Sequence, residues 1–589
     1  MIFSPLTGKR GALWVCLLLA AVCCQATDEK DTAAMQWLRQ NAIPLEGVEV
    51  GHGFDDLQPV GKIVGNARIV ELGEATHGTR EFFQMKHRMV EYLASQKGFT
   101  IFSIEANMPQ AYRLNDFVLK GEGDPKQLLK GMYFWTWNTE EVLDMILWMR
   151  EFNKSGKGRI EFTGFDMQTP TMPLETVRKF IQGLDMPYFS ATVNPLYNDA
   201  LHIDQSFAGS GATLPVQAVT GKHVTLSGYL RTEDLTAGYA GLWIRADGAA
   251  SKLLAFSDMH DANVTGTTSW KRYEISIDVP ANATYVVFGA IQSGNGTAWV
   301  DSMAIAINGV PYRNDNGDDK AIDLDFESAT PRGFNTWGEG YEIAIDSTVA
   351  QSGKQSLRMK RVGLLKTVSN DQAQMIPDRC SSVIAYLEKN RVGYIQSGVA
   401  AKDVEWVIQN ARLVLQYAQF KVGTKTRDES MADNIKWIAD QNPNAKIVVW
   451  AHNGHISYGG YPGMKSMGSY LKTTFGSQIV NFGFAFNEGG FRAVESGKGL
   501  HGFTVEPAPE GSLDRALGSL NMPVLAIDLR RVPKDGPVAQ WFAQEHASRS
   551  IGAAYSDTLA PNLWNKNPAN QDFDALLFIE KTTAAHGNP

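Results

Sequence analysis

The sequence predicts an α/β protein, a mainly parallel sheet flanked by helices, interrupted by an all-β jelly-roll-like domain. Two textures predict this. From about residue 31 to 188, and again from about 362 to the end, helical stretches alternate with short apolar runs. The runs are Ala67–Leu72, Thr100–Ile104, Arg159–Phe165, Lys446–Ala451, Gln478–Phe484, Pro523–Ile527 and Ala575–Ile579. Apolar runs bounded by helices are the pattern of parallel strands covered on both faces. Between about 190 and 360 the texture changes to alternating runs such as His223–Leu230 and Lys271–Val279, punctuated by Gly, Asn, Asp and Pro. Short alternating strands at regular spacing favour a sandwich or barrel. The expected division is a signal segment 1–26, a first α/β segment 27–189, an inserted β-sandwich 190–360 and a second α/β segment 361–589.

Composition narrows the function. The 589 residues are 44% hydrophobic and 20% charged, ordinary for a globular protein. Net charge is -8 and no basic cluster interrupts the chain. Phosphate backbones need concentrated Lys and Arg, so nucleic acid is excluded as the main partner. At the N-terminus, Lys9 and Arg10 precede an apolar run from Gly11 to Val22, and Cys24-Gln25-Ala26 resembles a cleavage site. That order reads as an export signal, giving a secreted or periplasmic protein. The apolar run is too short to span a bilayer comfortably, so no stable membrane span is expected after cleavage. Of the four cysteines, Cys16, Cys23 and Cys24 leave with the signal and only Cys380 remains. Neither an intrachain disulfide nor a cysteine metal site is then available.

In open α/β sheets, ligands bind beyond the carboxyl ends of the strands. One run ends in Leu72-Gly73 and continues as Glu74-Ala75-Thr76-His77-Gly78. A second ends on Glu105, a third on Asp166, and a fourth passes through Trp450 into Ala451-His452-Asn453-Gly454-His455. A lone histidine after a strand is usually a loop residue, and a strand-end acid is often a helix cap. Four such ends together point to one convergent site. In the helix after Gly78, Phe82, Met85, Met89, Val90 and Leu93 form an apolar stripe at 100° per residue, and Lys86 falls inside it. Lys86 either snorkels past the stripe or reaches an anionic group, where it could hold a carboxylate or steady oxyanion charge.

These segments resemble the erythromycin esterase family. The resemblance is carried by Leu72–Phe83, the strand ending in Glu105, Phe162–Asp166, Met431–Asn434, Val449–Ile456 and the loop Gly459–Lys472. It covers both α/β segments. It implies hydrolysis of an ester or lactone of a small molecule, with macrolide lactones as substrates of the resistance enzymes, although macrolide specificity does not carry over. On the matched positions, His77 would be the general base for water, Glu74 and His452 would place or polarise, and Glu105 and His455 would complete the site. Some members carry Arg where this chain has Lys86, and Lys lacks Arg's bidentate fork. No cofactor and no metal are expected.

The β-rich segment departs from the minimal family pattern. Gly238–Arg245, Gly266–Glu274 and Thr297–Asp301 look like carbohydrate-binding jelly rolls, with Leu324–Glu327 through Ser356–Lys360 resembling such a module's opening strands. Trp243, Trp270, Trp299, Trp337 and Tyr239 are candidates for glycan contact, although aromatic residues in sandwiches are more often core. Two other readings remain. Glu74-x-x-His77 and His452-x-x-His455 could hold a metal in a metallohydrolase, although these spacings lie on turns rather than on one helix face. A non-catalytic envelope binding protein is the other. A serine hydrolase is disfavoured, because no Gly-x-Ser-x-Gly elbow follows a strand.

Overall fold

The computed structural model describes residues 30–588, apart from 133, 202–206, 249–252, 260, 261, 263, 313–321, 339, 363–369, 461–462, 496–498 and 557–558. The export signal expected at 1–26 lies outside the described residues, as do two residues of the Gly459–Lys472 loop. No described helix is long and apolar enough to cross a membrane. The chain divides into two compact units, one of residues 1–172 with 425–589 and one of residues 173–424.

The first unit is built on a nine-stranded sheet. Six strands run parallel in the order Ala575–Thr582, Ile479–Glu495, Ile69–Leu72, Ile447–Trp450, Ile101–Asn107, Glu161–Asp166. Beyond Ala575–Thr582 the sheet continues antiparallel, through Val524–Asp528 to the edge strand Ile43–Pro44. A hairpin strand, Gly499–Val505, folds back on Ile479–Glu495. The sheet is therefore mixed, with a parallel centre. The run Pro523–Ile527 reverses direction, which an apolar run cannot reveal because burial carries no polarity of the chain.

The central strands are buried at every position, as strands covered on both faces should be. Ile447–Trp450, from the second segment, inserts between two strands of the first, with Trp450 beside both Leu72 and Ile104. That register brings three strand ends to one level. The helix Arg80–Lys97 stops at Gly98, which adopts a left-handed φ of 72°. The expected apolar stripe is buried, but so are Lys86, Arg88 and Glu91. Arg88 is matched by Asp56, with nitrogen–oxygen distances of 2.6 and 2.8 Å.

The second unit encloses the β-rich segment and takes in helices on either side of it. Its ten-stranded antiparallel sheet follows the path Asn335–Trp337, Phe207–Leu214, Tyr285–Ser293, His223–Asp247, Asn295–Ile307, Ser356–Arg361, Tyr341–Asp346. The 25-residue strand His223–Asp247 pairs with Asn295–Ile307 along its first half and with Tyr285–Ser293 along its second. Leu226, Leu230, Ile244, Phe288, Val300 and Leu357 fill the core. Two aromatic candidates for glycan contact are core residues: Trp243 donates to the Ser210 carbonyl, and Trp299 donates to Asp346. Trp337 is partly exposed and packs edge-on against Trp243. The helices Asn370–Gln396 and Ala401–Lys421 pack together after the last strand.

Among the described residues, the carboxyl group of Glu71 in the parallel centre finds no hydrogen-bond partner. Glu71, in mid-strand, has no access to water. Burial, reinforced by the nearby Asp574 charge and only partly offset by Lys472, raises its pKa well above the ordinary range. Burial thus favours the protonated, neutral form of Glu71 in the fold. Unfolding releases its proton once the pH exceeds the ordinary Glu value of about 4.3, so its contribution to stability is present below that pH and is lost as pH rises. Glu71→Gln should gain on wild type by about 1.4 kcal/mol per pH unit above that point, until the folded-state pKa is reached. Urea titrations at several pH values measure this, and a constant gap would contradict it.

Candidate active site

The turn after Ile69–Leu72 begins with a glycine forced by crowding. A Cβ on Gly73 would sit 2.1 Å from the Asn453 side-chain oxygen and 3.0 Å from the Phe482 carbonyl. The close approach lets the turns carrying Glu74 and His452 knit together. The Asn453 N–H donates to the Glu74 carbonyl, and the Asn453 amide pairs with both backbone groups of Phe484. Thr76 and Thr79 share a hydroxyl contact of 2.6 Å and stiffen the turn from within.

Glu74 is fully buried and spends both oxygens. One lies 2.6 Å from Nδ1 of His77. The other accepts from Lys86 Nζ at 2.6 Å and from the Trp450 indole at 2.8 Å. Burial opposes the charge, yet Lys86 and then His77 outweigh it, so the Glu74 pKa falls below the usual range. Lys86 is equally buried, its ammonium 4.2 Å above the Trp450 ring. Burial pushes its pKa down to about 8 despite Glu74. Lys86 thus reaches an anion by facing inward, not by snorkelling out. It is the counter-ion of Glu74, with no surface left for an oxyanion. An ionised Glu74 makes Nδ1 of His77 the donor, and no hydrogen bond reaches Nε2 among the described residues. The His77 side chain is 12% exposed, with Trp137 edge-on to its ring.

A second network surrounds Glu105. Its oxygens accept from the His452 backbone N–H at 2.9 Å and from Arg427 at 2.7 Å. Arg427 also grips Asp166 through two nitrogens and lies 3.0 Å from Nε2 of His455. Nδ1 of His455 faces Asp428, which also accepts the Met467 N–H. Burial works against the Glu105 charge, but His455 and Arg427 hold its pKa far below the carboxylate range. His455 shifts upward: burial lowers it, and the charges of Glu105 and Asp428 more than compensate.

His452 stands between the networks, its ring 5.0 Å from that of His77. It caps the short helix Asn453–Ile456 by accepting the Gly454 N–H on Nδ1, while Nε2 faces the Ile551 carbonyl at 3.1 Å. Ile551 in turn donates to the Ala75 carbonyl. Both ring nitrogens of His452 are thus engaged by backbone. Burial, then the neighbouring His77 and His455 charges, push its pKa down to about 3.

The structure therefore gathers all six residues named from the sequence: Glu74, His77, Lys86, Glu105, His452 and His455. Sequence reasoning missed Arg427, Asp428 and Trp450 as members, and it read Asp166 only as a strand end. Arg427 and Asp428 open the helix Arg427–Gln441 rather than follow a strand. Their only trace is a Thr-capped Arg-Asp-Glu just ahead of Met431–Asn434.

Fold and site together define an α/β protein with a histidine–carboxylate pair, His77 and Glu74, at the strand ends. The chain belongs to the erythromycin esterase family, whose pattern matches residues 94–237 and 334–582. Glu74, His77 and Lys86 precede the first matched residue. Erythromycin esterase type II of Escherichia coli is 30% identical over 194 residues, covering 31% of this chain and 44% of that protein. A putative hydrolase of Bacillus subtilis is 31% identical over 133 residues, covering 23% of this chain and 29% of its own. The matched stretches thus span less than half of either relative. A crystal structure of a Bacillus cereus protein shares the fold, with a TM-score of 0.59 at 19% identity, over 95% of this chain and 99% of that one.

Removing one member of a buried ion pair strands the other charge, at a cost of about 3–5 kcal/mol. Lys86→Met should lose about that much stability in urea unfolding, because Glu74 then has no cation. Lys86→Met combined with Glu74→Gln should lose clearly less than Lys86→Met alone. Equal losses would contradict the pairing.

Proposed function

We propose that the protein hydrolyses a carboxylic ester or lactone of a small molecule, with water activated by His77. The observation that carries this reading is the 2.6 Å contact from His77 Nδ1 to buried Glu74, which fixes the tautomer and leaves Nε2 as the proton acceptor. Nε2 takes a proton from water as the water oxygen adds to the substrate carbonyl carbon. Glu74 stabilises the imidazolium so formed, and Glu105 lies close enough to act on the same charge. Collapse of the tetrahedral intermediate breaks the carbon–oxygen bond to the leaving group. The imidazolium returns its proton to the departing alkoxide, giving an acid and an alcohol.

Family membership supports ester hydrolysis, and the name of the Escherichia coli relative makes a macrolide lactone one candidate substrate. The engagement of both His452 ring nitrogens by backbone favours a metal-free site over a metallohydrolase, which would have to free one of them. The N-terminal pattern supports export.

A His77→Ala variant should lose about 10²–10⁴-fold in turnover on any ester the wild type accepts, with KM less affected. A chelator should leave wild-type activity unchanged. Near-wild-type turnover in the variant overturns the assignment to His77. Activity lost to the chelator and restored by zinc transfers the case to a metallohydrolase.

A further inference from the structure

We propose that Arg427 is a positioning residue for the hydrolysis, locking Glu105 and His455 in the one arrangement that serves His77. The inference rests on the esterase reading above. Arg427 has five N–H bonds, and three are committed to carboxylates: Nε and Nη2 to the two oxygens of Asp166 at 3.2 and 2.8 Å and Nη2 to Glu105 at 2.7 Å, while Nη1 lies 3.0 Å from His455 Nε2. A planar fork spreads its donors over three nitrogens and grips Asp166 through two of them, whereas a lysine ammonium carries all its donors on one nitrogen. Glu105 is thereby held at both ends, by Arg427 on one oxygen and by the His452 N–H on the other. A carboxylate fixed in this way cannot rotate to follow its surroundings.

The platform under Arg427 is rigid. Arg427 is the first residue of its helix, capped by the Thr426 side chain on the Glu429 N–H. Asn434 ties that helix to the Phe165 carbonyl, one residue before Asp166. Charge alone does not explain the arrangement. Glu105 on its strand and Asp166 on the next set two carboxylates against one guanidinium, while Asp428 on the arginine's own helix faces His455. Lys86 is spent on Glu74, while His452 is held neutral between the two networks. Arg427 thus supplies geometry as well as neutralisation, bridging Asp166 and Glu105. It also gives His455 a defined place: Nδ1 lies 2.8 Å from Asp428, and Nε2 lies 3.0 Å from Arg427 and 3.4 Å from Glu105.

The test is a double-mutant cycle in the full-length protein, on an ester the wild type hydrolyses, with histidine-ring NMR as a second readout. Arg427→Lys keeps the charge but not the fork. It should lower kcat by about 10²-fold, as small misplacements in a site do, with KM within about twofold. In a Glu105→Gln background the same change should cost about threefold or less, because the residue through which Arg427 acts is already disabled. In ring-labelled protein, the His455 ring-nitrogen signals should shift in Arg427→Lys, because Nη1 lies 3.0 Å from Nε2 in the wild type. Full additivity with Glu105→Gln overturns the proposal, as does an unmoved His455 signal. A wild type that cleaves no ester ends the esterase reading, and the His455 signal then decides alone whether Arg427 holds that ring.

Discussion

A carboxylate shut away from water is tolerated only when its charge is matched and its oxygens are bonded. Glu74 meets that condition through Lys86, Trp450 and His77, and the rest of the site follows from it. The pair with Lys86 keeps Glu74 ionised, the ionised oxygen holds the proton on Nδ1 of His77, and the basic nitrogen is thereby Nε2. The neighbours are shaped around this one group. Gly73 admits Asn453, and the indole of Trp450 both donates to Glu74 and lies under the lysine ammonium.

The strand order makes this possible. Trp450 and His452 reach the Glu74 turn because Ile447–Trp450 inserts between Ile69–Leu72 and Ile101–Asn107. The site is complete only when both sequence segments of the α/β unit have joined the sheet. Contacts of such long sequence separation form late and at high entropic cost. Segment Ile551 secures the closure, tying His452 to the Ala75 carbonyl through its own two backbone groups. His452 therefore acts more as a bolt between turns than as a free base.

Much of this was legible in the sequence where burial or strand polarity left a mark. The seven apolar runs all fall on strands of the sheet, because a strand covered on both faces has little room for polar side chains. Glu71 hides inside one of those runs, where burial raises its pKa and favours the neutral form. Direction was not legible, since Val524–Asp528 is as apolar as its parallel neighbours. Five of the six site residues could be found because strand ends gather at one edge of a parallel sheet, and Lys86 because it broke an apolar stripe. Arg427 and Asp428 escaped because a helix start follows no such rule, and charged residues in a first helical turn are commonplace.

The central claim is that Glu74 fixes the tautomer of His77, and nitrogen NMR of the ring tests it most directly. With ring-labelled histidine at neutral pH, the signals assigned to His77 should show a protonated Nδ1 with a strongly downfield hydrogen-bonded proton, and an unprotonated Nε2. In Glu74→Gln, that downfield proton should be lost. A wild-type His77 protonated on Nε2 with a bare Nδ1 would contradict the account, because the remaining lone pair would face Glu74 rather than water.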